Sequence, residues 1–365
     1  MPAFRSLQDL EQSVRSAGLG PHLQAIVKTV RPVVLFVRAQ EPDDPIPVGT
    51  SKLGGNPNLP PGMAWPTRPA YPDAEKRRLR LQKQAKSSQE FSEKLASDRT
   101  FDERQRASFR QLIESNAAWT KARAEFGFQP FPMAFVAQLN LAALSREPGF
   151  SIELPDTGML SVFTDVIGGG ETRVLWFDQP VDQLVTMQPP RQLVDWYDRF
   201  TPLGLYTRED ERWQHQTMAE VLHAFSGLAV PDHWQYAYPR DTPLWHAFYD
   251  WLHDGVAKFE YSPNALVGTV TGMSANFGDR LGGWPANIQG PPEPDFASQV
   301  QIGNRTIVPG RTIWWHLFGY GGENWGGTRI MPPAHNGDGT TYILIREADL
   351  AARRFHRAGH DYQMD

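Results

Sequence analysis

Apolar residues recur at helical spacing near the start of the chain and then give way to a strand-like run. They extend from Leu7 to Val14 along one face of a predicted helix, and Ser6 stands where a helix N-cap is expected. A second short helix is predicted from about His22. The β-branched run "VVLFVRA" that follows is typical of a buried strand. Residues 1–48 are therefore predicted to form N-terminal helices and a first strand.

The stretch from 41 to 66 has no regular alternation and is rich in proline and glycine. Neither a helix nor a long strand accommodates so many of these residues, so we predict a loop with a defined shape. Trp65 is the large aromatic residue of this stretch, and it is expected to anchor the loop in the core.

Residues 73–126 contain no glycine or proline, and they hold 13 Lys and Arg residues against 9 Asp and Glu residues. This composition predicts a charged helical hairpin, with Thr100-x-x-Glu103 as a capping box at the start of its second helix. The segment carries a net charge of +4, which leaves −9 on the rest of the chain. Such a basic arm could contact nucleic acid or an acidic partner, but we interpret it as a solvated helical insertion.

Three strands are predicted next, from apolar runs at 133–141, 158–166 and 172–178. Beyond them, apolar residues return to helical spacing, for example in "TMAEVLHAF". Residues 191–262 are therefore predicted to form a helical connector. Strand-like sequence resumes after Pro263.

One short motif occurs twice in the chain. Lys/Arg-Leu-Gly-Gly-x-Pro stands at 52–57 and again at 280–285. The paired glycines are expected to adopt positive φ angles and the proline to hold a fixed one, so that each copy forms a specified corner. A corner used twice suggests that a larger unit is repeated.

Landmarks downstream of the two copies agree with a repeat. Gln138–Leu139 aligns with His316–Leu317 at an offset of 178 residues, and the Asp/Gly turns before the following strands align at 181–182. The charged insertion accounts for the larger offset of 228 between the motif copies. We therefore predict an internal duplication with β-rich halves at 49–190 and 263–365, packed as one compact α+β unit.

Charge and composition narrow the possible partners. The net charge is −5, the sequence pI is about 6.1, and the chain contains no cysteine. Nucleic acid and membrane are therefore not the expected partners, and disulfides and thiolate metal sites are excluded. The chain has no secretory signal at its start and no apolar run of membrane-spanning length, so a cytoplasmic location is expected.

Five stretches of the chain carry a family resemblance: "SKLGGNPNLP…AWP", "FVAQLNLAAL", "LPDTGMLSVF", "LGGWPANIQGPP" and "DGTTYILIREADLAARRF". In this order they resemble the YwqG-like family, the domain of unknown function numbered 1963. "HLFGYGGENWGG" departs from the family, which usually has a Gln-hydrophobic-Asp strand there. The resemblance implies two related β-rich halves without a settled activity. Related members of the family are associated with bacterial toxin–immunity loci, and this association implies a binding role.

No catalytic constellation, metal site or cofactor is predicted. Aromatic, amide and carboxylate side chains on loops are typical of a recognition surface, and they are expected to meet in a crevice between the halves. The predicted binding residues are Trp65, Gln138, Asp156, Trp284, Gln289, Trp325, His335 and Asp338. Turn capping explains the two aspartates equally well. We predict a soluble bacterial protein that binds a protein or small molecule. The alternative is an enzyme, such as a hydrolase, that uses the same crevice.

Overall fold

The computed structural model describes most of the chain. The described residues are 3–42, 46–71, 73–98, 100–126, 129–167, 172–200, 218–231, 243, 246–247, 251, 275–285, 301–302, 305–306, 314–321 and 339–364.

The N-terminal segment contains two helices and the first long strand. Its elements are β1 (Ala3–Phe4), α1 (Leu7–Ser16), α2 (Leu23–Val27) and β2 (Arg31–Pro42). The Ser6 side chain accepts a hydrogen bond from the backbone N–H of Asp9 at 3.1 Å, which confirms the predicted N-cap.

The following part of the chain contains the predicted strands and the helical hairpin. Its elements are β3 (Lys52–Gly54), β4 (Asn58–Leu59), β5 (Thr67–Arg68), α3 (Ala74–Ser97), α4 (Glu103–Phe126), β6 (Phe131–Pro132), β7 (Ala134–Asn140), α5 (Leu141–Leu144), β8 (Met159–Thr164), β9 (Thr172–Phe177), β10 (Val185–Thr186) and α6 (Arg191–Phe200). The loop predicted at 41–66 thus includes two short strands, because the two backbone segments pair with neighbouring strands despite the nearby prolines.

The last part of the chain supplies the other side of the sheet. Its described elements are β11 (Met218–Ala229), β12 (Ala275–Gly282), β13 (Gln301–Ile302), β14 (Arg305–Thr306), β15 (Trp314–Gly321), β16 (Gly339–Arg346), α7 (Glu347–Ala351) and β17 (Gly359–Met364).

Eleven of these strands form one large antiparallel sheet. Its order is β17-β16-β15-β12-β2-β11-β3-β7-β8-β9, and β1 pairs beside β11. The sheet curls until its outer strands β9 and β17 contact each other. Trp176 of β9 packs on Phe355 beyond α7, with 5.8 Å between the ring centroids. We call this contact the seam, and it leaves the sheet nearly closed.

The main hydrophobic core fills the inside of this curled sheet. It includes residues from both sides of the sheet order, such as Val34, Leu53, Leu160, Phe318 and Ile343. Separate clusters cover the outside, one of them built on α1 and α2 and another on β7, β8 and the loop after β4. One continuous core therefore joins the two sides of the sheet.

Two runs of strands extend from the β2–β11 pair in the same manner. On one side, β11 is followed by β3, β7, β8 and β9, and on the other side β2 is followed by β12, β15, β16 and β17. Leu53 pairs with Ala137 and Leu281 pairs with Phe318, and each partner comes directly after a β-bulge. Ala137 and Phe318 are 181 residues apart (318 − 137), which equals the lower of the offsets predicted for the Asp/Gly turns and differs by three from the 178 predicted at Gln138 and His316. A two-residue sequence match could not reveal the pairing register.

The predicted helical connector over 191–262 is wrong where it covers β11. Helix α6 lies within the range, but Met218–Ala229 is a central strand paired with β2 along its whole length. Helix-favouring residues such as Ala219 and Leu222 do not prevent this, because a neighbour on each side pairs with the strand.

The charged insertion forms the predicted hairpin of two helices, α3 and α4. Its capping box is not the predicted Thr100–Glu103 pair. Asp102 and Gln105 instead exchange side-chain and backbone hydrogen bonds at 2.8 and 2.9 Å, because the helix begins two residues later than expected. No helix in the described part of the chain is long and apolar enough to cross a membrane.

Candidate functional site

A cleft lies where connections from the two sides of the sheet meet near the seam. One wall is the turn between α5 and β8, and the other is α7 with the residues that follow it. The cleft has a volume of about 460 Å³, and its lining consists of Ile152, Glu153, Glu347, Leu350, Ala351 and Arg353. We call it the seam cleft.

The walls of the seam cleft combine apolar and acidic groups. Leu350 forms the floor and belongs to the main core. Ile152 is 93% exposed, the most exposed large apolar side chain in the described part of the chain. Glu153 and Glu347 are also exposed and place two carboxylates in the lining. The cleft therefore offers a contact for an apolar group beside two hydrogen-bond acceptors.

Arg353 has an unusual backbone conformation at the edge of the cleft. Its φ is 57°, and it is the one non-glycine residue with a positive φ in the described ranges. The N–H of Arg353 donates to Leu350 O at 2.9 Å and the N–H of Arg354 donates to Asp349 O at 2.8 Å. This is a helix C-terminal motif that usually carries glycine at the position of Arg353.

The side chain of Arg353 links the two walls of the cleft. Its Nη1 donates a hydrogen bond to the backbone oxygen of Glu153. The strained backbone therefore carries a guanidinium group to the opposite wall, where a glycine would supply no contact. Backbone strain of this kind is found most often at functional sites.

A family model described as "Domain of unknown function (DUF1963)" matches residues 51–363. The match includes both walls of the seam cleft and both copies of the Gly-Gly motif. The chain belongs to the DUF1963 family. No curated protein matches the chain. The family description assigns no activity, so any function of this DUF1963 protein has to be inferred from its own geometry.

Gln138, one of the predicted binding residues, is fully buried under the loop after β3. Its Nε2 donates to Thr50 O at 2.7 Å and to Asn58 Oδ1 at 2.6 Å, and its Oε1 accepts from Asn58 N at 2.9 Å. These three hydrogen bonds tie the segments before and after β3 to β7. In this DUF1963 protein, Gln138 thus holds the first Gly-Gly corner in place.

The two predicted tryptophans with described positions lie in different clusters. Trp65 packs edge-on against Phe163 and donates from Nε1 to Met133 O at 2.8 Å. Trp284 lies under the guanidinium of Arg31 and donates from Nε1 to Thr29 O at 2.7 Å. The structure does not bring them into one cluster.

Asp156 is the last of the predicted residues with a described position. Asp156 is exposed in the turn before β8. Gln289, Trp325, His335 and Asp338 lie outside the described residues. None of the four described candidates lines the seam cleft.

The residues of the seam cleft were missed by sequence inspection, although two signals were present. An arginine follows α7 where helix-ending glycine is common, and an isoleucine, Ile152, stands in a polar turn. Each signal is local, and neither one indicates that the two turns are neighbours. That proximity depends on the closure of the sheet.

His316 is a second notable group of this DUF1963 protein. The side chain lies on the outer face of β15 and is 2% exposed. Its Nδ1 donates to Gly282 O at 2.9 Å, since a carbonyl oxygen can only accept. Burial is the main cause that lowers the pKa of His316 to about 3; the hydrogen bond to Gly282 O opposes this shift, and the charges of Arg280 and Arg31 add to it. The imidazole is therefore neutral and braces the second Gly-Gly corner.

Proposed function

We propose that this DUF1963 protein is a binding or regulatory module that engages its partner at the seam cleft. The observation that supports the proposal most is that loops from both sides of the sheet form one cleft, with a strained arginine spanning its walls. A role like that of a toxin-immunity protein is the form of regulation that we propose.

The chemistry of the lining indicates what kind of partner group would fit. Ile152 and Leu350 favour an apolar side chain, and Glu153 and Glu347 favour a neighbouring cation. A protein segment with an apolar residue next to Lys or Arg meets both requirements. A small amine with an apolar body would meet them as well.

The second candidate function is an enzyme, for example a hydrolase, that uses the same cleft. The observation in its favour is that two carboxylates, Glu153 and Glu347, line the same cleft. A carboxylate pair can act as a general acid and a general base when the two environments differ. Turnover of a substrate that is lost in both Glu153→Gln and Glu347→Gln would favour this function over binding alone.

We also propose that the halves at 49–190 and 263–365 descend from one duplicated unit. The equal order of strands and the two bulges at equal register support this proposal. Gly54 and Gly55 have φ angles of 66° and 67°, and Gly282 and Gly283 have 72° and 68°. Unrelated sequences would have little reason to repeat the same two-glycine corner beside equivalent strands.

The absence of cysteine from all 365 residues fits a reducing compartment. We propose that the protein acts in the bacterial cytoplasm.

The binding proposal is tested with a partner first identified by mass spectrometry of material that co-purifies with the full chain. Ile152→Asp should weaken the affinity for that partner by at least tenfold, because it places a charge on the apolar contact. Val185→Asp is the matched control, since Val185 is also an exposed apolar residue but lies outside the cleft. Equal affinities of wild type and Ile152→Asp would contradict the proposal.

A further inference from the structure

The inside of the curled sheet is apolar at one end and polar at the other. The apolar end lies below the seam cleft, near α5 and α7. The other end is where β2, β3, β8, β15 and β17 finish. Its inward-facing side chains include Arg38, Glu220, Asp279, Thr164, Thr172 and Thr341. We call this region the polar end.

Charged groups on one wall of the polar end are organised around Arg38. Its Nη2 donates to Asp279 Oδ1 at 2.6 Å, and its Nε donates to the other oxygen of the same carboxylate. Its Nη1 donates to Glu220 Oε2 at 3.0 Å. All three residues are buried. A guanidinium bound by two carboxylates is held rigidly, which is a property of preorganised binding sites.

Two buried hydroxyl groups lie at the polar end on β8 and β9. Thr164 and Thr172 are register partners on β8 and β9, and their Oγ1 atoms are buried. Neither atom has a hydrogen-bond partner among the described residues, and Thr164 is only 1% exposed. A buried hydroxyl without a partner is unfavourable, so these two atoms call for a hydrogen-bonding group from outside the described residues.

The chain contains its own comparison for these positions, because the two runs of strands repeat one pairing register. Val162 and Ile343 occupy the same register position in β8 and β16, so Thr164 corresponds to Ile345. The same matching pairs Thr341 with Leu160, His360 with Val174, Tyr362 with Trp176, Arg38 with Ala224, and Glu220 with Val34.

In each of these pairs one residue is polar, and the residue at the equivalent position of the other run is apolar. The relation between the two runs exchanges the ends of the sheet, so equivalent backbone positions are polar in one run and apolar in the other. Equivalent backbone positions thus hold Ile345 and Ala224 in one case and Thr164 and Arg38 in the other. The strand pairing by itself therefore does not require polar side chains at the polar end.

We infer that the polar end is a binding site for a small polyhydroxylated molecule of the sugar or polyol class. A ligand hydroxyl can donate to Glu220 or Asp279 and accept from Arg38, and it can do both with Thr164. An anionic ligand would face the two carboxylates, and an apolar ligand would leave the threonine hydroxyls without partners. The inference is independent of the seam cleft.

The test uses isothermal titration of the full chain with D-glucose, D-galactose, D-ribose and myo-inositol. Inorganic phosphate and hexanol serve as the anionic and apolar comparisons. At least one polyol should bind, and Thr164→Val and Glu220→Gln should each weaken its binding by tenfold or more. Ser161→Ala is the matched control, because Ser161 also has a buried hydroxyl without a partner among the described residues, but on the outer face of β8. It should leave affinity within twofold of wild type.

Two further results decide the inference. Thr164→Val preserves side-chain volume, so its Tm without ligand should be equal to or above that of wild type, which shows that lost binding is not lost folding. The inference is overturned if no polyol binds at millimolar concentration, if phosphate or hexanol binds instead, or if Thr164→Val and Glu220→Gln bind like wild type. A crystal structure with only water against Thr164 after a polyol soak would also overturn it.

Discussion

Four glycines set the shape of the two corners that follow β3 and β12. Gly54, Gly55, Gly282 and Gly283 all have positive φ angles, which L-amino acids with a Cβ adopt at a cost. A Cβ on Gly283 would also lie 2.8 Å from Cβ of Val33. The corner thus needs glycine both for its backbone conformation and, at one position, for its close packing.

Replacing either Gly54 or Gly282 with alanine should lower the free energy of unfolding by about 1–2 kcal/mol, the cost of a positive φ for a residue with a Cβ. Urea denaturation monitored by circular dichroism measures this effect. Gly20→Ala is the control, because Gly20 has no positive φ and a Cβ there would meet nothing within 4 Å. If Gly54→Ala and Gly282→Ala have the same free energy of unfolding as wild type, the corners do not require glycine.

His316 should make the stability of the protein depend on pH in a particular direction. Its pKa is about 3 in the folded protein, below the ordinary value of 6.5, so the unfolded chain takes up the proton first as the pH falls. The stabilisation is therefore complete above about pH 6.5 and is lost progressively towards pH 3.

We expect wild type to lose about 1.4 kcal/mol more stability per pH unit than His316→Gln across this window, the amount linked to one proton. Glutamine keeps a donor for Gly282 O but does not titrate. Urea denaturation at pH 7.5, 6.0 and 5.0 gives the comparison. Parallel stability curves for the two proteins would show that His316 takes up its proton equally well in the folded state.

At the scale of elements, the α3–α4 hairpin is attached to the body through a buried root. The helices contact mainly each other, while β5 and β6 pair beneath them. Arg68 Nε lies 3.1 Å from Asp165 Oδ1, and the Arg68 guanidinium also donates to Gln129 O at 2.9 Å. Tyr71 donates to the same aspartate. The root, rather than the helices, contributes to the packed body.

Replacing residues 73–126 with a short Gly/Ser linker should therefore change the Tm by only a few degrees, because the exchanged segment buries little against the sheet. Differential scanning calorimetry of the full chain and the deletion variant measures the difference. Arg68→Met in the complete chain is the comparison, and it should cost about 3–5 kcal/mol because it leaves Asp165 buried without its ion-pair partner. Loss of folded protein on deletion alone would show that the helices belong to the core.

Strand β11 is a segment whose secondary structure could not be predicted from its sequence. Leu222 and Phe225 fall at helical spacing, and alanine and glutamate nearby favour helix. The same residues also alternate, with Glu220, Leu222 and Ala224 facing the inside of the sheet. The helical and the strand periodicity both fit such a short run, so pairing with β2 and β3 decides that the segment is a strand.

At the scale of the whole molecule, closure of the sheet creates both candidate sites. The contact between Trp176 and Phe355 brings the strands at the two ends of the sheet order together. The turn at Ile152 then meets α7 and forms the seam cleft, and the inward-facing residues of β8 and β9 share the polar end with Arg38. Neither arrangement involves neighbours in sequence, so both depend on the complete fold.

The sequence by itself determined the local features of this protein. Ser6 caps its helix, the Gly-Gly motifs form corners with positive φ, the segment 73–126 forms a hairpin, and the family resemblance is confirmed. Each of these features depends on interactions between residues that are close in sequence or on a short sequence motif. Only the tertiary structure decided that Met218–Ala229 is a central strand, that Gln138 holds a loop, and that Arg353 reaches Glu153. These features join residues far apart in sequence, and their energies come from pairing and burial that no local pattern encodes.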